Sequence, residues 1–278
     1  MAALEATAGR TYYSATRDRE ARESYYPNLE GLTGAQLYDT LSQLLADTHT
    51  TTLTYKKARL NHLYPWIDRR ENKDRDLKGI YSNKVFNPAD VINQEVQMEI
   101  QREAARQEAM SRESLTELDE ALLEELEAKF PFNCEHVVPQ SWFLKRKQPK
   151  TDMHHLFTCE WECNSSRGNR AYFDFGHEAF RKGCGEGGDN KFEPNGGKGA
   201  VARATLYFLL RYPGDIADSN KEMPMDRLAT IKKWAKGDKV DKWEHHRNAE
   251  IQKVQGNRNP LIDFPKLVDK IDFATGWA

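Results

Sequence analysis

The sequence predicts an α+β fold, mostly helical and forming a single domain. Apolar residues recur at helical spacing in several separate stretches, strand-type runs are short and few, and 38% apolar against 30% charged over 278 residues supports one sizeable core. The same balance argues against disorder, collagen-like repeats and a disulfide-dense miniprotein.

The elements follow in chain order. Residues 1–30 are polar, with Tyr12, Tyr13, Tyr25 and Tyr26 among charges, and read as an irregular lead-in, of which 1–24 precede the domain at 25–278. Thr33 then suits a helix N-cap, with Gln36 completing a capping box, and Leu37, Leu41, Leu44 and Leu45 mark an inward face. Between about 91 and 128 the chain reads as two amphipathic helices parted near Ser111–Ser114, with Ile92, Val96 and Ile100, then Leu115, Leu118, Leu122 and Leu126, as the apolar stripe. Val137 and Val138 form a β-prone run closed by Pro139. Gly183–Gly199 is dense in glycine and reads as a loop. An apolar helix runs from there to about Arg211, stopped before Pro213. One more helix is predicted over Met225–Ala235, and another opens at Asp241, with Glu244 at the capping-box position, and ends at Gly256.

Charge is unevenly spread. The whole chain carries a formal −2, yet Ile92–Ala128 holds eleven acids against three arginines, so the remainder is basic. Between Ser141 and Lys182 eight basic residues face five acids, with Lys145, Arg146 and Lys147 consecutive. The most apolar stretch, Val201–Leu210, is interrupted by Arg203 and falls short of the roughly 18 residues of a membrane span. There is no internal repeat and no glycine-rich phosphate loop. Met1–Arg10 have neither a basic start nor an apolar leader stretch, so the compartment is not written there.

The chemistry concentrates in Asn133–Phe175. Glu135 and His136 are adjacent, and about 28 residues later Asn164 and Asn169 bracket Arg167. A phosphodiester hydrolase must activate water, stabilise extra negative charge on phosphorus and release an oxygen. An imidazole suits the first task at neutral pH. A hard cation such as Mg²⁺ takes oxygen ligands, and Glu135 and Asn164 supply one carboxylate and one amide oxygen. Adjacent strand residues point to opposite faces, so Glu135 and His136 serve one site only where the strand bends or ends. Taken singly, each residue has a plain structural reading as well: a surface charge, a packed histidine, or an asparagine capping a helix.

These motifs together resemble the endonuclease I family of non-specific nucleases, within the His-Me finger (ββα-metal) group. The likeness extends to residues 25–55, with GLTGAQL and LTY, to GIYSN at 79–83 as a strand, to KGAVARATLYFLLRY at 198–212 and to EHHRNAEIQKVQGNRNPLIDFP at 244–265. It implies a ββα-metal core, His136 as general base, and Glu135 and Asn164 as ligands of Mg²⁺ or another divalent cation such as Mn²⁺ or Ca²⁺. It also implies cleavage of DNA and RNA to 5′-phosphate and 3′-hydroxyl ends, a monomer, and a secreted or periplasmic location. Arg167 is a candidate either for binding phosphate or for anchoring the finger's helix. Lys145, Arg146, Lys147 and Arg170 are candidates for backbone contacts to nucleic acid. The alternative is a non-catalytic nucleic-acid-binding or protein-interaction module that keeps the finger.

Two features depart from the family pattern. His155 stands where the DxHNL motif has asparagine, and 91–128 looks like an acidic helical insertion, for which core packing is the default reading. Cys134, Cys159, Cys163 and Cys184 bracket the active region and read as structural braces. Four cysteines allow three complete pairings. Export, as the resemblance implies, favours disulfides; a four-thiolate Zn²⁺ site and free thiols are the other arrangements.

Overall fold

A computed structural model describes residues 2–111, 132–143, 147–176, 183–216 and 225–276. Helix α1 (Ala2–Glu5) and helix α2 (Ala15–Tyr25) occupy what the sequence suggests is an irregular lead-in. Helix α2 lacks an apolar stripe, so periodicity misses it. Ser14 caps its start, and Asp18 ties it to Arg258 across 2.8 Å. Helix α3 (Gly34–Thr48) buries Leu37, Tyr38, Leu41 and Leu45, although the Thr33 hydroxyl accepts no bond from the helix and the expected capping box is not formed.

A short helix, α4 (Tyr55–Lys57), widens into a π-type stretch from Ala58 to Ile67. Asp68 leaves that stretch and accepts both the N–H and the hydroxyl of Thr158 at 2.7 Å, while Arg247 pairs with its other oxygen. Strands β1 (Leu77–Lys78) and β2 (Val85–Phe86) form a small antiparallel hairpin, so residues 79–83 are its turn rather than a strand. The Ile80 N–H donates to Thr158 O at 3.0 Å, which ties this turn to the edge of the finger.

Helix α5 (Pro88–Ser111) is the first half of the acidic segment; the second predicted helix lies outside the described residues. Its inward face differs from the predicted stripe. Val91, Ile92, Glu95 and Met98 are buried, whereas Val96 and Ile100 face solvent at 37% and 56% exposure. The reason is Arg59, whose buried guanidinium pairs with Glu95 and with Glu99 at 2.8 Å. Tyr64 adds a hydroxyl donor to Glu95 at 3.0 Å. A buried cation thus rotates two acids of this helix toward the core.

The finger comprises strands β3 (Phe132–His136) and β4 (Leu156–Glu160), paired antiparallel, followed by helix α7 (Trp161–Arg167); the connection holds helix α6 (Lys147–Thr151). The strand lies just before the predicted Val137–Val138 run. Arg167 captures the carbonyls of His136 and Val137 at 3.0 and 2.7 Å, so the ladder ends there.

Strands β5 (Ala171–Tyr172), β6 (Gly185–Gly188) and β7 (Lys191–Pro194) make a three-stranded sheet in the order β5-β7-β6. The glycine-dense loop is therefore a hairpin in part. Asp189 and Asn190 form its two-residue turn with φ of 44° and 59°, the positive pair that matches strand twist.

Helix α8 (Lys198–Arg211) runs through the core, buried at every residue from Gly199 to Leu210. Arg203 is accommodated there by a two-pronged pairing with Glu244 at 2.8 and 2.7 Å. Around it pack α9 (Met225–Gly237), α10 (Lys242–Gln255) and α11 (Pro260–Asp263). Helix α10 carries the full Asp241–Glu244 capping box and ends at Gly256, whose φ is 99°. A side chain at Gly256 would meet the carbonyl of Thr48 at 2.3 Å. Among the described residues, no helix is long and apolar enough to cross a membrane.

Candidate functional site

Strand pairing sets Cys134 opposite Thr158, Glu135 opposite Phe157 and His136 opposite Leu156. Alternation then assigns Cys134, His136 and Leu156 to one face of the hairpin and Glu135, Phe157 and Cys159 to the other. The first face packs with Met153, Ala58 and Ile251, the second on the main core. His136 is the last residue of β3, where that alternation lapses into a bend.

The His136 ring is held on several sides. It stacks on Tyr55 with centroids 5.3 Å apart, and its Nε2 lies 2.9 Å from the carbonyl of Lys150. A carbonyl only accepts, so Nε2 carries the hydrogen and Nδ1 holds a lone pair, 3.4 Å from the amide nitrogen of Gln140. Burial first, and His155 second, push the imidazole pKa well below its ordinary value. The ring is neutral near pH 7 and so holds a lone pair that can take a proton, though burial makes it a weaker base than a free imidazole.

Glu135 is 1% exposed. Its carboxylate accepts from the Tyr81 hydroxyl at 2.6 Å and faces the Arg167 guanidinium at 3.1 Å. Tyr81 in turn meets the Tyr172 hydroxyl at 2.6 Å. Burial, offset only in part by Arg167 and Tyr81, pushes the Glu135 pKa up to about 7. The chain alone therefore leaves this negative charge under-compensated, and a bound cation would complete it. Asn164 sits half-buried on α7, one turn before Arg167 and hence on the same helical stripe. A carboxylate and an amide oxygen are hard donors, and they fit Mg²⁺ or a similar ion.

Arg167 resolves toward the anchoring role. It is 1% exposed, and its terminal nitrogens are taken by two backbone carbonyls and Glu135, so it is not presented to a phosphate. Arg170 is half-buried, and its guanidinium lies so close to β6 that a side chain at Gly187 would overlap it. Lys145 and Arg146 lie outside the described residues, as does the side chain of Lys147. His155 is fully buried, with Nε2 2.5 Å from the carbonyl of Pro149. It is a packed, hydrogen-bonded histidine.

The cysteines divide. Cys163 and Cys184 form a disulfide that ties α7 to the start of β6, whereas Cys134 and Cys159 are buried and outside any disulfide. The disulfide takes two of the four thiols that a Zn²⁺ site would use, and Cys134 and Cys159 belong to opposite faces of the hairpin. Among the described residues, Asp18, His245 and Asp263 also bring ligating atoms within 4.8 Å of one another. Arg258 spans both carboxylates there at 2.8 and 2.7 Å and supplies the positive charge itself.

Tyr55, Gln140, Tyr81, Tyr172 and the Lys150 carbonyl all escape sequence reading. A backbone carbonyl has no residue signature. Tyr55, at the end of LTY, and Tyr81, inside GIYSN, are the two members whose motifs offer a signal.

The histidines also dictate acid behaviour. His49, His62, His136, His154, His155, His245 and His246 all have pKa values lowered by burial, that of His154 to about 4. Below their unfolded values near 6.5 the unfolded chain takes up protons that the native state refuses, so stability is lost as pH falls toward 4. His154 alone accounts for about 3 kcal/mol of that loss. Glu135 acts oppositely between about 4.5 and 7, and Glu244, also raised by burial, acts in the same sense, but they are two groups against seven. The denaturation midpoint, followed by circular dichroism, should drop steeply from pH 7 to 4.5. A flat profile would contradict the burial of these rings.

A family model described as endonuclease I matches residues 33–266. Residues in this chain are 36% identical over 157 positions to an extracellular ribonuclease of Bacillus subtilis (strain 168), covering 50% of this chain and 54% of that protein. The extracellular ribonuclease of Bacillus amyloliquefaciens is 37% identical over 155 positions, covering 50% and 53%. An extracellular deoxyribonuclease of Aeromonas hydrophila is 30% identical over 122 positions, covering 42% and 51%. The aligned region thus spans about half the length of the curated relatives it matches.

Proposed function

The chain belongs to the endonuclease I family, and from that premise we propose that it is a divalent-metal-dependent endonuclease hydrolysing DNA and RNA with little sequence preference, leaving 5′-phosphate and 3′-hydroxyl ends. The observation that carries the reading is the neutral His136 ring at the end of β3, with a lone pair on Nδ1 and an under-compensated carboxylate on the preceding residue.

His136 takes the proton from the attacking water at Nδ1, while the Lys150 carbonyl and the Tyr55 ring keep the imidazole from turning. Glu135 and Asn164 would hold the cation, and Tyr81 and Arg167 keep the carboxylate in place. When bound, a divalent cation supplies a Lewis acid for the charge that grows on the phosphate and the departing oxygen. Low sequence preference fits a chain with no recognition-helix or tandem-finger pattern, since phosphate contacts carry no base information. Relatives named for both ribonuclease and deoxyribonuclease activity support both substrates. The Cys163–Cys184 disulfide and the extracellular or periplasmic names of the relatives support export.

The test is supercoiled plasmid and single-stranded RNA incubated with Mg²⁺, with and without chelator. Chelator should abolish cleavage of both, and the product ends should show no sequence bias. Binding to DNA without metal-dependent nicking would favour the non-catalytic module instead.

A further inference from the structure

His155 is buried at 0% exposure among the rings of Phe143, Phe208 and His136, at centroid distances of 6.0, 5.0 and 5.5 Å. Shape alone would explain an aromatic residue here. Its polar atoms do more. The His155 carbonyl accepts the N–H of Val137 at 3.1 Å, the residue that follows His136. Its ring Nε2 donates to the carbonyl of Pro149 at 2.5 Å, the residue that precedes Lys150. The Lys150 carbonyl accepts from His136 at 2.9 Å. These three hydrogen bonds and two peptide links close a circuit from His136 through Val137, His155, Pro149 and Lys150 back to His136.

The segment at the far side of that circuit needs an external hold. Helix α6 has five residues, too few to be stable by its own hydrogen bonds, and Pro149 in its middle has no N–H to contribute. One local bond, from the Asp152 N–H to the Pro149 carbonyl at 3.2 Å, steadies its end, and the His155 ring is the second donor to that same carbonyl. His155 Nδ1 is buried without a hydrogen-bond partner, so the ring is fixed with its hydrogen on Nε2 and directed at Pro149.

We propose that His155 is a positioning residue for His136: by fixing the Pro149–Lys150 carbonyls it sets the orientation and tautomer of the imidazole. The inference rests on the reading of His136 as the base. Phenylalanine at 155 keeps the ring and its packing but removes the donor, whereas glutamine restores a donor at the reach of Nε2.

Two readouts separate the roles. Nitrogen-proton NMR of the His136 ring at fixed pH should show a single Nε2–H tautomer in the wild type and in His155→Gln, and a mixture in His155→Phe. With Mg²⁺ and a plasmid substrate, His155→Phe should lower kcat by about 10- to 100-fold with KM changed less than about twofold, and His155→Gln should recover to within about threefold of wild type. A His155→Phe protein with wild-type kcat and one His136 tautomer would overturn the proposal and leave His155 as packing alone. Should the phenylalanine variant not fold, the glutamine variant decides: folded His155→Gln with mixed tautomers and a lowered kcat overturns it. Failure of the underlying functional reading looks different, because His136→Ala would then keep its activity while the tautomer measurement still reports on His155.

Discussion

Replacing His136 by alanine is expected to lower the initial rate of plasmid nicking by about a thousandfold while leaving the protein folded. The imidazole is neutral and its bonds are to a backbone carbonyl and a glutamine amide, so its loss removes the base without leaving a buried charge behind. Rate and thermal midpoint should therefore separate: the first collapses and the second moves by a few degrees. A variant within tenfold of the wild-type rate would assign water activation to another group. Glutamine at the same position tests the point further, since it can still donate to Lys150 but offers no basic nitrogen.

The second large effect is on stability. Arg167→Met removes the donors to the carbonyls of His136 and Val137 and leaves Glu135 buried with no cation from the chain. Breaking a buried pair in this one-sided way costs about 3 to 5 kcal/mol. Urea denaturation should show that loss, and the double variant with Glu135→Gln should regain part of it, because the stranded charge is gone. A loss below about 1 kcal/mol, or no recovery in the double variant, would mean that Arg167 does not anchor the finger. Added divalent cation should raise the midpoint of the single variant more than that of the double one, since only the former keeps the carboxylate.

Much of the fold is legible where local signals and tertiary demands agree. Asp241, Glu244 and Gly256 delimit α10 because capping chemistry is written in neighbouring residues. Pro213 stops α8 for an equally local reason. The misses lie where distant partners decide. Helix α2 is polar on its own, and Arg258, some 240 positions away, contributes to its anchoring. The buried face of α5 is turned by Arg59, which periodicity of apolar residues cannot register. The glycines of 183–199 suggest a loop, but Asp189–Asn190 takes the hairpin turn and Gly185 allows β6 to approach β7, where a side chain would meet the Glu193 carbonyl at 2.3 Å. At the candidate site the motif residues are readable in order. Their supports are not, because a carbonyl on Lys150 and hydroxyls on Tyr81 and Tyr172 become relevant only after the chain has folded.

The placement of the four thiols has a bearing on how the chain matures. Packing of both faces of the β3–β4 ribbon on separate apolar clusters buries Cys134 and Cys159 on opposite sides of it, away from solvent and from each other. The two sulfurs still available are the ones that belong together. Burial of the ribbon's two faces thus leaves Cys163–Cys184 as the pairing open to an oxidant once the chain has folded.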